Sequence, residues 1–265
     1  MWHSMRKVPR KYWLLFLKEQ DRKLGLLACQ AMQWRGFSDF PLHPKHLFDE
    51  DRAAFCRRHF RPDMSFLDLG SGVGTECIAA AKAGAKRVVG IENDRSNHQH
   101  AVNRAEKAGV KVEFILHNLE DTPFPIDSKH FDLINMSNVL EHLTDRVTVL
   151  SELKRVKTEG GVAIISVPNA DTSWKKTLRS VGLDSRDDED HKIEYTKAAL
   201  IAELRAAGLE VSSPLLPIVP SFPWHGLIAL SAAFSPNLYR CLQRYKYRFV
   251  TRHPQESVGW TFLAK

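Results

Sequence analysis

Between the apolar run Ser65–Leu69 and the alanine-rich stretch Thr75–Ala83 the chain reads L-G-S-G-V-G-T-E, with glycines at 70, 72 and 74. A buried strand, a glycine turn and a helix in that order form the opening crossover of an α/β sheet. The glycines let the backbone turn tightly and approach a ligand with no Cβ in the way, and the free amides at the helix start favour a carboxylate or phosphate. The spacing is G-x-G-x-G. A dinucleotide fingerprint would require glycine at position 75, where Thr75 stands. About twenty residues further on, R-V-V-G-I-E-N-D ends a second apolar run at Glu92. A carboxylate at that place can accept both hydroxyls of a ribose. Read blandly, these are an ordinary glycine-rich turn and a solvated acid; read together, at this separation, they point to a nucleoside-bearing ligand.

The periodicity downstream continues the pattern. Strands are expected over Arg87–Ile91, Val112–Leu116, Phe131–Met136, Val162–Val167 and Leu209–Ser213, and helices over Arg95–Ala108 and Thr144–Lys157. The second of these helices should turn Val147, Leu150, Leu153 and Val156 inward before Gly160-Gly161. A further helix has Thr196 as its N-cap, Leu200, Ile201 and Leu204 inward, and Gly208 as its stop. Val258 to Lys265 alternates as a half-buried strand does, and its pairing with Leu209–Ser213 should be antiparallel. The expected fold is α/β, a doubly wound, mostly parallel seven-stranded sheet that binds ligand beyond the carboxyl ends of its strands. Residues 65–213 would form the core, 1–64 an N-terminal helical extension, 214–254 an apolar and basic cap insertion, and 255–265 the last strand. The outer pieces are expected to cover the ligand edge.

At 265 residues and 43% apolar, the chain can bury a sizeable core. Its net charge of +7 is unevenly placed: residues 1–23 and 236–265 carry +5 each, and 24–235 carry −3. Two basic ends on a mildly acidic body can meet nucleic acid or an anionic membrane, although most such stretches are solvated faces. Val211 to Tyr239 has no Lys, Arg, Asp or Glu, but its prolines break any spanning helix. Cys29, Cys56, Cys77 and Cys241 lie far apart without a C-x-x-C pair, so neither a zinc ribbon nor a disulfide framework is indicated, and no metal is expected. No secretory signal fits, because Lys18 closes the apolar run Trp13–Leu17 after five residues. The mature chain is expected to start here and to be cytoplasmic, peripheral at most to the inner membrane face.

From Phe66 to Asn169 the chain resembles the class I S-adenosylmethionine-dependent methyltransferases. The residues that carry the resemblance are LDLGSGVG, VVGIE, NLEDTPFPIDSKHFDLI, SNVLEHL and LKRVKTEGGVAIISVPN. It implies a Rossmann-like methyltransferase fold with S-adenosyl-L-methionine as cofactor. Asp68 and the loop Gly70, Ser71, Gly72 and Gly74 would line the methionine moiety, Glu92 would hold the ribose, and Asn118 with Leu119 would flank adenine. Asn93 and Asn135 complete the cofactor set, although Asn93 and Asp94 also suit the start of the next helix. The family more often has Asp where Asn118 stands; an amide can still pair with the adenine edge.

Two histidines are candidate catalytic bases. His142 follows the fourth strand in N-V-L-E-H-L, at the cofactor's methyl end by topology; a packed helix-start histidine is the competing reading. His191 follows Asp187, Asp188, Glu189 and Asp190, carboxylates that would raise its pKa and could orient its ring. Trp224 and His225 read as an aromatic wall. The sequence Asn135-Met136-Ser137-Asn138 lacks the N-P-P-Y or D-P-P-Y of exocyclic-amine nucleic-acid methyltransferases, so nucleic acid loses ground as a substrate. H-P-K-H-L-F, S-V-P-N-A-D-T-S-W, E-D-H-K-I-E-Y-T and P-N-L-Y-R-C-L-Q-R, followed by H-P-Q-E-S-V-G-W, look like methyltransferases found among bacterial surface-glycan enzymes. This implies a small-molecule or glycan hydroxyl as acceptor. The alternatives are a non-catalytic cofactor-binding scaffold or an RNA methyltransferase with steeply salt-dependent binding.

Overall fold

The computed structural model describes residues 10–48, 52–212, 215–218 and 224–265. In chain order the helices are α1 (Arg10–Trp34), α2 (Pro44–Leu47), α3 (Arg52–Arg57), α4 (Thr75–Lys82), α5 (Arg95–Lys107), α6 (Arg146–Val156), α7 (Ser173–Ser180), α8 (Lys197–Ala206), α9 (His225–Phe234) and α10 (Pro236–Arg252). The strands are β1 (Ser65–Leu69), β2 (Arg87–Glu92), β3 (Glu113–Leu116), β4 (Phe131–Ser137), β5 (Lys157–Pro168), β6 (Leu215–Ile218) and β7 (Gly259–Ala264). They fall into two compact units. One comprises Asp51–Asn169, Asp188–Leu216 and Gly259–Lys265; the other comprises Met1–Glu50, Ala170–Asp187 and Pro217–Val258.

The first unit is an α/β sheet of order β3-β2-β1-β4-β5-β7-β6. Strands β1 to β5 are parallel neighbours, and β7 runs antiparallel to β5. The order reverses between β1 and β4, which is where such sheets open a crevice for ligand. Helix ends follow local chemistry: Asp94 and Thr196 accept the Asn97 and Ala199 amides as N-caps, and Gly84, Gly109 and Gly208 follow helices with positive φ. The main core gathers Leu67, Leu69, Ile91, Ile134, Leu150, Leu153, Ile165 and Phe262.

Four details differ from the sequence reading. Val147 is 68% exposed, because α6 begins at Arg146 and turns Val149, Leu150, Leu153 and Val156 inward instead. Gly160 and Gly161 lie inside β5, beside a register shift opposite Phe131; a Cβ at Gly161 would stand 2.8 Å from the Phe131 carbonyl. The segment from Leu209 makes a single antiparallel bridge, Val211 to Ala264, and the expected end at Ser213 lies outside the described residues. β7 is buried on both faces, with only Leu263 half-buried, so packing covers the face that alternation would leave wet.

The second unit is helical. Its α1 and α9 cross at Gly226, where a Cβ would meet the Asp21 carbonyl at 2.4 Å, and Asp21 Oδ1 accepts the Gly226 amide at 2.8 Å. Met32, Ala232, Ala233 and Tyr239 pack together there. The wholly buried Lys175 ammonium donates to Asp187 Oδ2 at 2.8 Å, and Lys18 Nζ reaches the Asp184 carbonyl at 3.1 Å. The basic residues Arg6 and Lys7, and residues 213–214 and 219–223 of the uncharged stretch, lie outside the described residues. Among the described residues no helix is long and apolar enough to cross a membrane.

Candidate functional site

The glycine loop leaves β1 and doubles back on β2. Both Gly70 and Ser71 donate their amides to the Ile91 carbonyl at 2.9 Å, and φ is +72°, +52° and +74° at Gly70, Gly72 and Gly74. Two of these glycines are required by their neighbours. A Cβ at Gly70 would stand 2.4 Å from Val139 Cγ2, and one at Gly74 would stand 2.7 Å from the Phe114 ring. Gly72 faces open space. The Ser71 hydroxyl is buried and makes no hydrogen bond among the described residues. The turn amides of Gly70, Ser71, Gly72 and Gly74 are all bonded within the protein, so an open glycine and an unanswered hydroxyl form the cradle that fits a polar ligand chain such as a methionine moiety.

Glu92 is buried at the end of β2 and ties two loops together. Its Oε2 accepts the Gly72 amide at 2.7 Å and its Oε1 accepts the Asp94 amide at 2.9 Å. Each oxygen keeps a second lone pair, so the carboxylate can still receive a ribose diol. Asp68 pairs across the sheet with Asn135, whose Nδ2 donates to Asp68 Oδ1 at 2.7 Å. Burial pushes the Asp68 carboxyl up to about 8, against the lowering effect of the Asn135 hydrogen bond.

The remaining expected cofactor residues follow β3 or adjoin Glu92. Asn93 is exposed. Asn118 is exposed and closes a turn on the Glu120 amide, while Leu119 is buried. Sequence reasoning missed Arg104 of α5, which donates to the Val73 carbonyl and to Thr75 Oγ1 and so pins the glycine loop from the neighbouring crossover. A cation at the inward turn of a helix otherwise rich in polar residues gave no signal of its own.

The two histidines come together. His142 ends a 3₁₀ turn, Leu140–His142, just past β4, and its ring meets that of His191 edge to face at 4.6 Å between centroids. The His191 loop is fastened by the Lys192 amide, which donates to the Glu141 carbonyl at 2.8 Å. A carboxylate beyond the expected acid run orients His191: Glu194 Oε1 lies 2.6 Å from Nδ1, while Asp187 pairs with Lys175. Desolvation and the neighbouring His191 lower the His142 pKa below the ordinary histidine value. Because Val139 packs on Gly70, the Leu140–His142 turn stands directly beside the glycine loop. Trp224 is exposed, and His225 stacks on His43 at 5.1 Å within the helical unit.

Comparison with known proteins matches residues 60–207 to a family model described as a methyltransferase domain. A probable S-adenosylmethionine-dependent methyltransferase of Mycolicibacterium smegmatis is 32% identical over 58% of this chain and 54% of its own. A ribosomal protein L11 methyltransferase of Thermosipho africanus is 35% identical over 43% of this chain and 41% of its own. A ubiquinone biosynthesis O-methyltransferase of Maricaulis maris is 29% identical over 63% and 67%. Among solved structures, the [4+2]-cyclase SpnF shares the fold with a TM-score of 0.57 at 18% identity, covering 80% of this chain and 78% of that one. The chain spans about half the length of the first of these relatives. With more than half of its residues inside the family model, and with the doubly wound sheet to match, this chain belongs to the S-adenosylmethionine-dependent methyltransferase family.

Proposed function

We propose that the chain transfers the methyl group of S-adenosylmethionine to a hydroxyl of a small molecule or surface-glycan precursor. The observation that supports this reading is the contact of Val139 with Gly70, because Val139 leads directly into the Leu140–His142 turn whose His142 ring meets that of His191. Bound in that loop, the cofactor supplies a methyl group on a positively charged sulfur, open to in-line attack. The residues assigned to hold it are Asp68, Gly70, Ser71, Gly72, Gly74, Glu92, Asn93, Asn118, Leu119 and Asn135. Their work is positioning, which supplies about 7–11 kcal/mol in well-oriented reactions. His142 and His191 are assigned to the proton of the acceptor hydroxyl, and Glu194 to orienting His191. The O-methyltransferase relative supports a hydroxyl acceptor; the ribosomal-protein relative marks a ribosomal protein as the competitor to test.

The test is incubation with methyl-labelled cofactor and panels of hydroxylated small molecules, glycans and ribosomal protein. Label on a hydroxyl compound, lost in His142→Ala with cofactor binding retained, is the expected result. Label only on protein, or none with any acceptor, overturns it. The second outcome would favour a binding scaffold.

For partners, we propose that the helical unit meets an anionic membrane through the start of α1, where Tyr12, Trp13 and Phe16 are exposed beside Arg10 and Lys11. Vesicles containing anionic lipid should cosediment the chain and neutral ones should not. Equal behaviour on both ends the idea.

A further inference from the structure

Glu141, His142 and His191 each offer one ligand atom, and the three atoms lie within 4.8 Å of one another. Glu141 and His191 are buried and His142 is half-buried. Atoms bound to one ion at about 2.1 Å lie no more than about 4.2 Å apart, so small side-chain rotations close the set. The contact of His191 Nδ1 with Glu194 Oε1 at 2.6 Å is the arrangement by which a carboxylate orients a metal-binding imidazole. The backbone is fixed on both sides, by the 3₁₀ turn that carries Glu141 and His142 and by the Lys192 and Ile193 amides on the Glu141 carbonyl. Neither sequence spacing nor cysteine content suggested this group, because one ligand lies 49 positions beyond its neighbour.

We propose that Glu141, His142 and His191 bind a divalent transition-metal ion of the zinc type, with Glu194 as the residue that positions His191. Two imidazoles and one carboxylate suit zinc, cobalt or iron better than magnesium. Three protein ligands leave a coordination position open for an oxygen of the acceptor.

The inference deepens the proposed function and rests on it for its chemical consequence. The hydroxyl oxygen, bound to the ion, gives its proton to water. Its electron pair then forms the O–C bond as the S–C bond breaks, and that bond's electrons remain on sulfur as a neutral thioether. The two imidazoles thus act on the hydroxyl proton through the ion instead of accepting it.

The test uses the full chain, stripped with a chelator and titrated calorimetrically with zinc chloride, and separately with magnesium chloride. One zinc per chain is expected, with magnesium at least about 100-fold weaker. Glu141→Gln and His191→Ala should each weaken zinc binding at least about 100-fold, and Glu194→Gln about 10- to 100-fold. Cobalt(II) added to the unmodified chain should give a visible ligand-field absorption that saturates at one equivalent and is displaced by zinc, a reading that needs no variant to fold. No zinc heat and no cobalt absorption, or zinc affinity that survives in both Glu141→Gln and His191→Ala, overturns the site. Cofactor calorimetry on the same material separates the two readings. Cofactor heat without zinc heat removes the metal site alone, and zinc heat that depends on the three ligands without cofactor heat removes the methyltransferase reading alone.

Discussion

The two units bury charge for different ends. In the α/β unit, Asp68, Glu92 and Glu141 stand in or just past neighbouring parallel strands, and Glu92 holds loop amides with lone pairs to spare. In the helical unit, Lys175 and Asp21 hold separate chain segments together: one reaches Asp187 and the other the Gly226 amide. Titratable groups in the first unit cluster where a ligand could meet them, and those in the second act as cross-links. Removing one should therefore cost binding in the first unit and stability in the second.

The sharpest test is Glu92→Ala. Two charged hydrogen bonds to a ribose, at about 1.5–3 kcal/mol each, imply roughly 10²- to 10⁴-fold weaker cofactor binding by calorimetry. A fall in melting temperature without loss of affinity would put Glu92 with the cross-links. Gly70→Ala should affect both quantities, because a Cβ there meets Val139 at a φ of +72°. About 1–3 kcal/mol of destabilisation is expected from denaturant unfolding, with weaker cofactor binding. In the helical unit, Asp187→Asn should lower stability by about 2 kcal/mol or more, since it leaves the buried Lys175 with less compensation. Cofactor affinity should stay as it was.

A pH titration separates the units more finely. The folded Asp68 carboxyl keeps its proton up to about 8, whereas the unfolded chain releases it near 3.8. Folding therefore takes up a proton, and this group's contribution to stability falls as pH rises through that window. Asp68→Asn should flatten the slope in unfolding measured from pH 4 to 8. A cationic methionine group beside Asp68 would favour its ionised form, so cofactor binding at pH 7 should release a proton in the unmodified chain and not in the variant. Smallest of all is Lys175→Met, expected within about 1 kcal/mol of the parent, because an apolar side chain of similar length replaces a buried charge and Asp187 retains access to water.

Much of the α/β unit was legible because its signals are local. A strand, a glycine turn and a helix adjoin in sequence, and β1, α4, β2 and α5 fall within two residues of their expected bounds. β7 misled because alternation predicts one wet face, while the packing that covers that face is a long-range fact. Val147 misled because a three-residue period drifts around a 3.6-residue helix. In the candidate site, Glu92 was readable from its distance to the glycines. The pairing of His142 with His191, and of His191 with Glu194, depends on how the loop after β5 returns to the sheet. No local pattern reports that path. The helical unit is assembled from three separated segments, and that is why only its polarity, not its packing, could be foreseen.

The position of Glu92 bears on turnover. In the proposed ribose-holding role, Glu92 would grip the half of the cofactor that methyl transfer leaves untouched, so the spent thioether would meet the same holding contacts as the fresh donor. Product inhibition would follow, and sustained rates would depend on a scavenging hydrolase or on abundant donor to clear the pocket.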